Sequence, residues 1–326
     1  MKKLGLLFIV LVIGSIIWAC SFQPNQEVPE ERLRVTAVIP HNDDGYWIYV
    51  VQALEESVKV YPVDMKIVIP QLNYNIEQMT DLIKQATASN VDAIIVQGNN
   101  DVEYNAALKT ARDKEIQIIL IDTDSRSDYM HLYVGTDNYA AGKMMAQKVA
   151  EVADGKAKIA VLSGEEGYAN LEERYQGFQD VLKDYPDMEI VRLEYSQFDS
   201  VRTMDKFYQI KRENPEVDTL VCLEGTGANT ISSLVAKEDK RYRYIFGFDY
   251  NEEVVQGIQD GCIDGILLQR QKEMAKVCTE EICRYKQEGA YSSEIIYTDV
   301  TWVTADNLEE AMNEFSAESE LRTGQS

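Results

Sequence analysis

The stretch PHNDDGYWIY, Pro40 to Tyr49, sets two carboxylates, Asp43 and Asp44, beside two adjacent rings, Tyr46 and Trp47, directly after an apolar run. Paired carboxylates do acid and base work when their groups converge on one bond. Neighbours in sequence diverge in space, however, and solvated loop acids account for Asp43 and for Glu165-Glu166 as well. Nucleophilic chemistry has no better footing. Ser163 in LSGEEG lacks the glycine two residues before it, and a base would have to be His41 or His131, the only histidines. GFDYNEE and GEEGYAN match neither a dinucleotide fingerprint nor a phosphate cradle. Neither histidine stands at a ligand spacing with a cysteine, so no metal and no cofactor is expected, and His41 reads as a loop residue at a strand end. These residues predict binding, not catalysis.

The elements that must position such groups show in the hydrophobic pattern. Short apolar, β-branched runs occur at 33–39, 64–69, 92–96, 116–121, 131–135, 157–162, 188–194, 219–223, 242–248 and 264–269. Between them lie stretches with apolar residues three and four apart, such as Ile48, Val51, Leu54 and Val58, or Met79, Leu82, Ile83 and Ala86. Strand and helix alternating this regularly predict an α/β fold with parallel sheets covered on both faces. The length of 326 residues favours two domains. In doubly wound sheets the strand C-termini line one edge, and ligands occupy the crevice outside it. The informative polar residues fall there: Asp44, Tyr46 and Trp47 after the first run, Asp122 and Thr123 after the fourth, Asp249 after YIFGF, and Gln269 ending DGILLQ. Arg174 lies on the helix after AKIAVLSG. Core packing is the competing role for Tyr46 and Trp47, an intradomain salt bridge for Arg174, and a helix N-cap for Asp249.

Outside this body, Lys2-Lys3 precede an uncharged run from Leu4 to Ala19 that stops at Cys20, the pattern of an export signal. Ile17-Trp18-Ala19-Cys20 resembles a bacterial lipoprotein cleavage box with Cys20 as the lipidated residue, although Trp18 departs from the usual small or aliphatic residue. An uncleaved anchor competes, but about 16 residues rise only about 24 Å as a helix, short of a hydrocarbon core of about 30 Å. Residues 21–32, polar and carrying two prolines, read as a tether, and 316–326 as a flexible tail. The net charge of −23 opposes a nucleic-acid partner and keeps an exported chain soluble. Of the other cysteines, Cys222, Cys262, Cys278 and Cys283 read as packed thiols, the last two pointing to different helix faces.

The motifs VTAVIPHNDDGYW, DAIIVQG, IILIDTD, YVGTDNYAAGKMMAQ, ERYQGF, SQFDS, YIFGFDYNEE and GILLQRQKEMA, in this order, resemble the type I periplasmic sugar-binding proteins, solute-binding proteins of ABC transporters, of the ribose-binding kind. The resemblance covers about residues 33–315. It implies two doubly wound parallel-sheet domains joined by a three-segment hinge, with one lobe formed by 33–136 and 270–297 and the other by 137–269 and 298–315. It also implies a guest buried by hinge closure. By the same resemblance Asp44 hydrogen-bonds sugar hydroxyls, and Tyr46 and Trp47 cover the ring from one lobe while Phe198 covers it from the other. Asp122 is the motif's aspartate, Arg174 donates to hydroxyl oxygens, Asp249 accepts from a vicinal pair, and Gln269 is the hinge-side amide. Thr123 stands where the ribose pattern has arginine, and Gly225-Thr226 where it often has Asn-Asp, which removes polar groups and adds room.

The function implied is capture of a monosaccharide or related polyol outside the cytoplasmic membrane by a monomer that delivers it to an ABC importer. The alternative is a membrane-tethered subunit presenting its closed form to a histidine kinase. A transcription regulator shares the core fold, but the export signal occupies the place of its DNA-reading helices, and the acidity opposes that role.

Overall fold

The computed structural model describes residues 32–41, 45–125, 127–236 and 242–317. The export segment, Cys20, almost all of the tether, Asp43, Asp44 and most of the C-terminal tail lie outside them. All ten apolar runs are strands, their ends moved by a residue or two: β1 (Leu33–Val38), β2 (Val63–Val68), β3 (Ala93–Gln97), β4 (Gln117–Ile121), β5 (Leu132–Thr136), β6 (Ala157–Ser163), β7 (Met188–Tyr195), β8 (Thr219–Cys222), β9 (Tyr244–Phe248) and β10 (Gly265–Gln269). Two more, β11 (Ile295–Thr298) and β12 (Val300–Val303), went unread because they are four residues each and no helix separates them. The helices are α1 (Gly45–Ser57), α2 (Ile76–Ala88), α3 (Val102–Arg112), α4 (Asn138–Val152), α5 (Ala169–Leu182), α6 (Ser200–Glu213), α7 (Gly225–Val235), α8 (Glu252–Gln259), α9 (Gln271–Glu288) and α10 (Leu308–Ala317).

The strands form two six-stranded sheets, ordered β11-β5-β4-β3-β1-β2 and β12-β10-β9-β8-β6-β7. Every pairing is parallel except that of β12 with β10. The strand period of two sends neighbouring side chains to opposite faces. Ile95 thus packs under α1 and α9, while Ile94 and Val96 meet α2 and α3. In the second sheet Val161, Val221 and Leu267 pack under α4 and α5, whereas Leu162, Cys222 and Leu268 face α6, α7, α8 and α10. Each such aliphatic side chain gains about 1.5–3 kcal/mol by leaving water, which is why these strands carry so few polar residues.

The chain passes between the sheets three times: from β5 through Asp137 into α4, from β10 through Arg270 into α9, and from β11 to β12 across Asp299 alone. We call the half built on β1–β5 and β11 the first lobe and the other the second. In each sheet the order reverses beside the first strand of the lobe, at β3-β1-β2 and β8-β6-β7. Loops leave such a reversal in opposite directions and open a crevice at the strand C-termini. Away from that crevice the lobes also meet where the Lys272 ammonium donates to the Phe315 carbonyl at 3.0 Å and lies 5.2 Å from the Tyr49 ring.

Candidate functional site

The two crevices face each other across one cavity of about 550 Å³, of the size that holds small molecules. Its first-lobe wall begins with α1, where Tyr46 and Trp47 meet edge to face, centroids 5.2 Å apart. Trp47 is 1 % exposed and belongs both to the first-lobe core and to the wall, so the packing and lining roles coincide in one ring. Its Nε1 donates to the Tyr74 hydroxyl at 3.0 Å. The Tyr46 hydroxyl donates to Asp122 Oδ1 at 2.7 Å. Burial first, and then the neighbouring Asp122, push the Tyr46 pKa well above the usual phenol range, so it remains a donor.

Asp122 stands just beyond β4 with φ of +69°, a conformation that turns the carboxylate back over the sheet edge. Besides Tyr46 it accepts from Gln97 Nε2 and Thr123 Oγ1, both at 2.7 Å to Oδ2, and from Asn170 of the second lobe at 3.4 Å. Its capacity is thus largely spent inside the protein. Thr123, 1 % exposed, faces Asp122 and Gln97 and does not line the cavity.

The second-lobe wall is keyed by Arg174. The buried stripe Leu171, Arg174, Gly177, Phe178 and Val181 turns one face of α5 inward. Gly142 on α4 lets the two helices touch, since a Cβ there would sit 1.9 Å from the Arg174 carbonyl oxygen. Among the described residues Arg174 forms no salt bridge of the kind the sequence left open. Its Nε donates to Asn138 Oδ1, Nη1 to the Leu223 carbonyl and Nη2 to Gln269 Oε1, each at 2.8 Å, and the guanidinium lies 4.2 Å from the Phe248 ring centroid. Three of its five N–H groups are so engaged, leaving one each on Nη1 and Nη2. Gln269 Nε2 donates on to Asp249 Oδ1 at 2.8 Å, and Thr136 Oγ1 donates to Gln269 Oε1 at 2.8 Å across a lobe crossing.

Asp249, at φ of +68°, does not cap a helix; Asn251 caps α8, its side chain accepting from Val254 N–H. Gly225 brings the start of α7 against it, with an added Cβ 3.3 Å from Asp249 Oδ2. Glu224 caps α7 by accepting from the Thr226 and Gly227 amides at 2.6 and 2.8 Å. Burial holds its pKa up at about 7 against those bonds. Further along α7, Asn229 Oδ1 is buried without a partner.

Tyr46, Trp47, Asp122, Arg174, Phe198, Gly225, Asp249 and Gln269 therefore line one hollow, although they span most of the chain. Of the candidate residues, Asp44 lies outside the described residues and Thr123 stands behind the wall. Sequence reasoning missed Gln97, Glu224, Tyr74, Asn170 and Asn229, which also line it. The strand-end rule could have found Gln97 and Glu224; Tyr74 stands in the connection from β2 to α2, which carries no periodic signal, and Asn170 in the first turn of α5. Among the described residues no disulfide joins Cys222, Cys262, Cys278 or Cys283, and Cys222 and Cys278 are fully buried. No group of three metal-ligating side chains occurs among the described residues.

Comparison with known proteins places this arrangement. The D-apiose import binding protein of Actinobacillus succinogenes is 22% identical over 215 residues, covering 65% of this chain and 69% of that protein. The crystal structure of GanP, a glucose-galactose binding protein from Geobacillus stearothermophilus, superposes with a TM-score of 0.80 at 28% identity, over 86% of this chain and 99% of that one. The XylFII–LytSN complex shares the fold, with a TM-score of 0.76 at 21% identity over 84% of this chain and 98% of that one. The model of the periplasmic binding protein domain matches residues 35–289, and the chain belongs to that family, with the type I fold of two parallel α/β lobes.

Proposed function

We propose that the protein is an extracytoplasmic solute-binding protein that closes its lobes on a monosaccharide or related polyol and delivers it to an ABC importer. One observation carries this: rings, carboxylates and a partly spent guanidinium from both lobes converge on a single cavity of about 550 Å³. A cyclic sugar has hydroxyl edges and C–H faces. Tyr46 and Trp47 supply apolar area, Arg174 two remaining charge-assisted donors, and Asp249 with Asn229 acceptors. Asp44 adds an acceptor in this reading, and Gln269 orients Asp249 and Arg174 together rather than acting on the guest alone. In this reading the guest leaves unchanged. Cys20 tethers a monomer to the outer face of the membrane.

Support comes from the kinship with import binding proteins for D-apiose and with a glucose-galactose binding protein. The test is a thermal-shift screen of pentoses, hexoses and polyols, because a guest held only by the folded form raises the melting temperature. At least one sugar should raise it by several degrees, and Asp249→Asn, which keeps the side chain's shape, should remove that shift. A flat response to the whole panel would end the reading. The kinase-coupled alternative rests on Trp18 in the cleavage box and on the altered Gly225-Thr226 corner. Co-purification from solubilised membranes separates them: a permease and ATPase mark import, a histidine kinase marks sensing.

A further inference from the structure

Two rings of the cavity touch each other across the gap between lobes. Tyr74, in the loop from β2 to α2, and Phe198, in the loop from β7 to α6, lie with centroids 4.6 Å apart and planes inclined by 21°. Both have left-handed backbones, φ of +57° and +53°, an outlier for bulky side chains that persists only where surroundings over-determine it. Those surroundings are visible. The Tyr74 amide donates to the Pro40 carbonyl at 2.8 Å, its hydroxyl accepts from Trp47 at 3.0 Å, and the His41 ring lies 5.3 Å away. On the other lobe the Phe198 amide donates to Ser196 Oγ at 3.2 Å, and Tyr168 meets the ring edge to face at 5.1 Å. Gly164 completes the seat, since a Cβ there would fall 2.2 Å from the Phe198 ring. Each lobe braces one ring and offers it to the other.

We propose that Tyr74 and Phe198 form a latch between the lobes, and that Tyr74 is a guest-retaining residue, holding the cleft shut and setting the rate at which a bound sugar leaves. The stack faces the same cavity as the sugar-binding groups, so the release rate rests on the capture reading, whereas the latch itself does not. A stacked pair is worth about two- to tenfold, the fold-change equivalent to about 0.5–1.5 kcal/mol at about 1.4 kcal/mol per decade.

The experiment uses the full-length protein with D-ribose, D-xylose, D-allose and D-galactose, taking forward whichever gives the largest thermal shift. Dissociation is followed by tryptophan fluorescence, and sugar-free lobe separation by small-angle scattering. Tyr74→Leu and Phe198→Leu should each speed release about two- to tenfold, with the double variant no faster than the faster single. Tyr74→Phe, which keeps the ring, should restore most of the retention. Sugar-free Tyr74→Leu should scatter as a more open particle than wild type. Singles that multiply in the double variant, or an unchanged release rate in Tyr74→Leu, overturn the latch. Should no sugar bind the wild type, the capture reading fails separately and scattering alone decides: a more open Tyr74→Leu upholds the latch, an identical curve overturns it. Tyr74→His serves if the leucine variant does not fold.

Discussion

The two walls of the cleft spend their polar groups differently. On the first lobe, Asp122 is surrounded by Tyr46, Gln97 and Thr123, and Trp47 has given its only N–H to Tyr74. On the second, Arg174 keeps two N–H groups, Asn229 Oδ1 has no partner, and Glu224 retains its proton up to about neutral pH. The first wall is a rigid, self-satisfied surface suited to cover a ring face. The second keeps hydrogen-bonding capacity in reserve, and under the proposed function discrimination between sugars would fall there, because a buried polar group left unpaired by the wrong guest costs about 1–3 kcal/mol.

The largest effect should come from Arg174→Ala. Arg174 is a brace and, in the proposed reading, a binding group as well, so its loss strands Asn138 Oδ1 and the Leu223 carbonyl in the interior. Chemical denaturation should show a loss of about 3 kcal/mol, together with loss of the sugar-induced thermal shift. Next comes Gly164→Ala, whose new methyl must displace the Phe198 ring. Overpacking of this kind costs about 1–3 kcal/mol, and a titration should show roughly tenfold weaker sugar binding. An effect on stability without one on binding would show that Phe198 is a packing residue alone.

Thr123→Val tests the first wall. It removes a buried donor to Asp122 without entering the cavity, so unfolding should register a loss of about 1 kcal/mol while sugar affinity moves little. A large, sugar-selective affinity change would instead make the first wall discriminating. Glu224→Gln is read against pH. The Glu224 pKa is raised in the folded protein, so its contribution is fully present below the unfolded value of about 4.3 and is lost as pH rises through about 7. Wild type should therefore lose melting temperature between about pH 4.3 and about pH 7 relative to Glu224→Gln, with the two curves running parallel above that range.

Most of the fold was legible because its strands are buried on both faces and separated by helices, which gives each a compact apolar signature. The β11–β12 pair escaped because it crosses between lobes with one intervening residue and only Thr298 and Val303 of its residues are buried. Cavity-lining residues at strand ends were legible by the same logic: Asp122, Asp249 and Gln269 stand at strand ends and line the cavity. Thr123 shows the limit of that rule. It too follows a strand, yet the left-handed turn at Asp122 directs it behind the wall. Tyr74 shows the other limit, since its contact with Phe198 depends on two loops in different lobes, and no local pattern encodes a meeting at that separation.

Under the proposed function one guest bridges the unequal walls, its face on the rings of the first and its hydroxyls on the polar groups of the second. A crystal structure with the sugar that gives the largest thermal shift tests this most directly. The sugar should lie against Trp47, with hydroxyls within hydrogen-bonding distance of Arg174 and Asp249. Density for that sugar at any other place, with the cavity between the lobes holding only water, would contradict it.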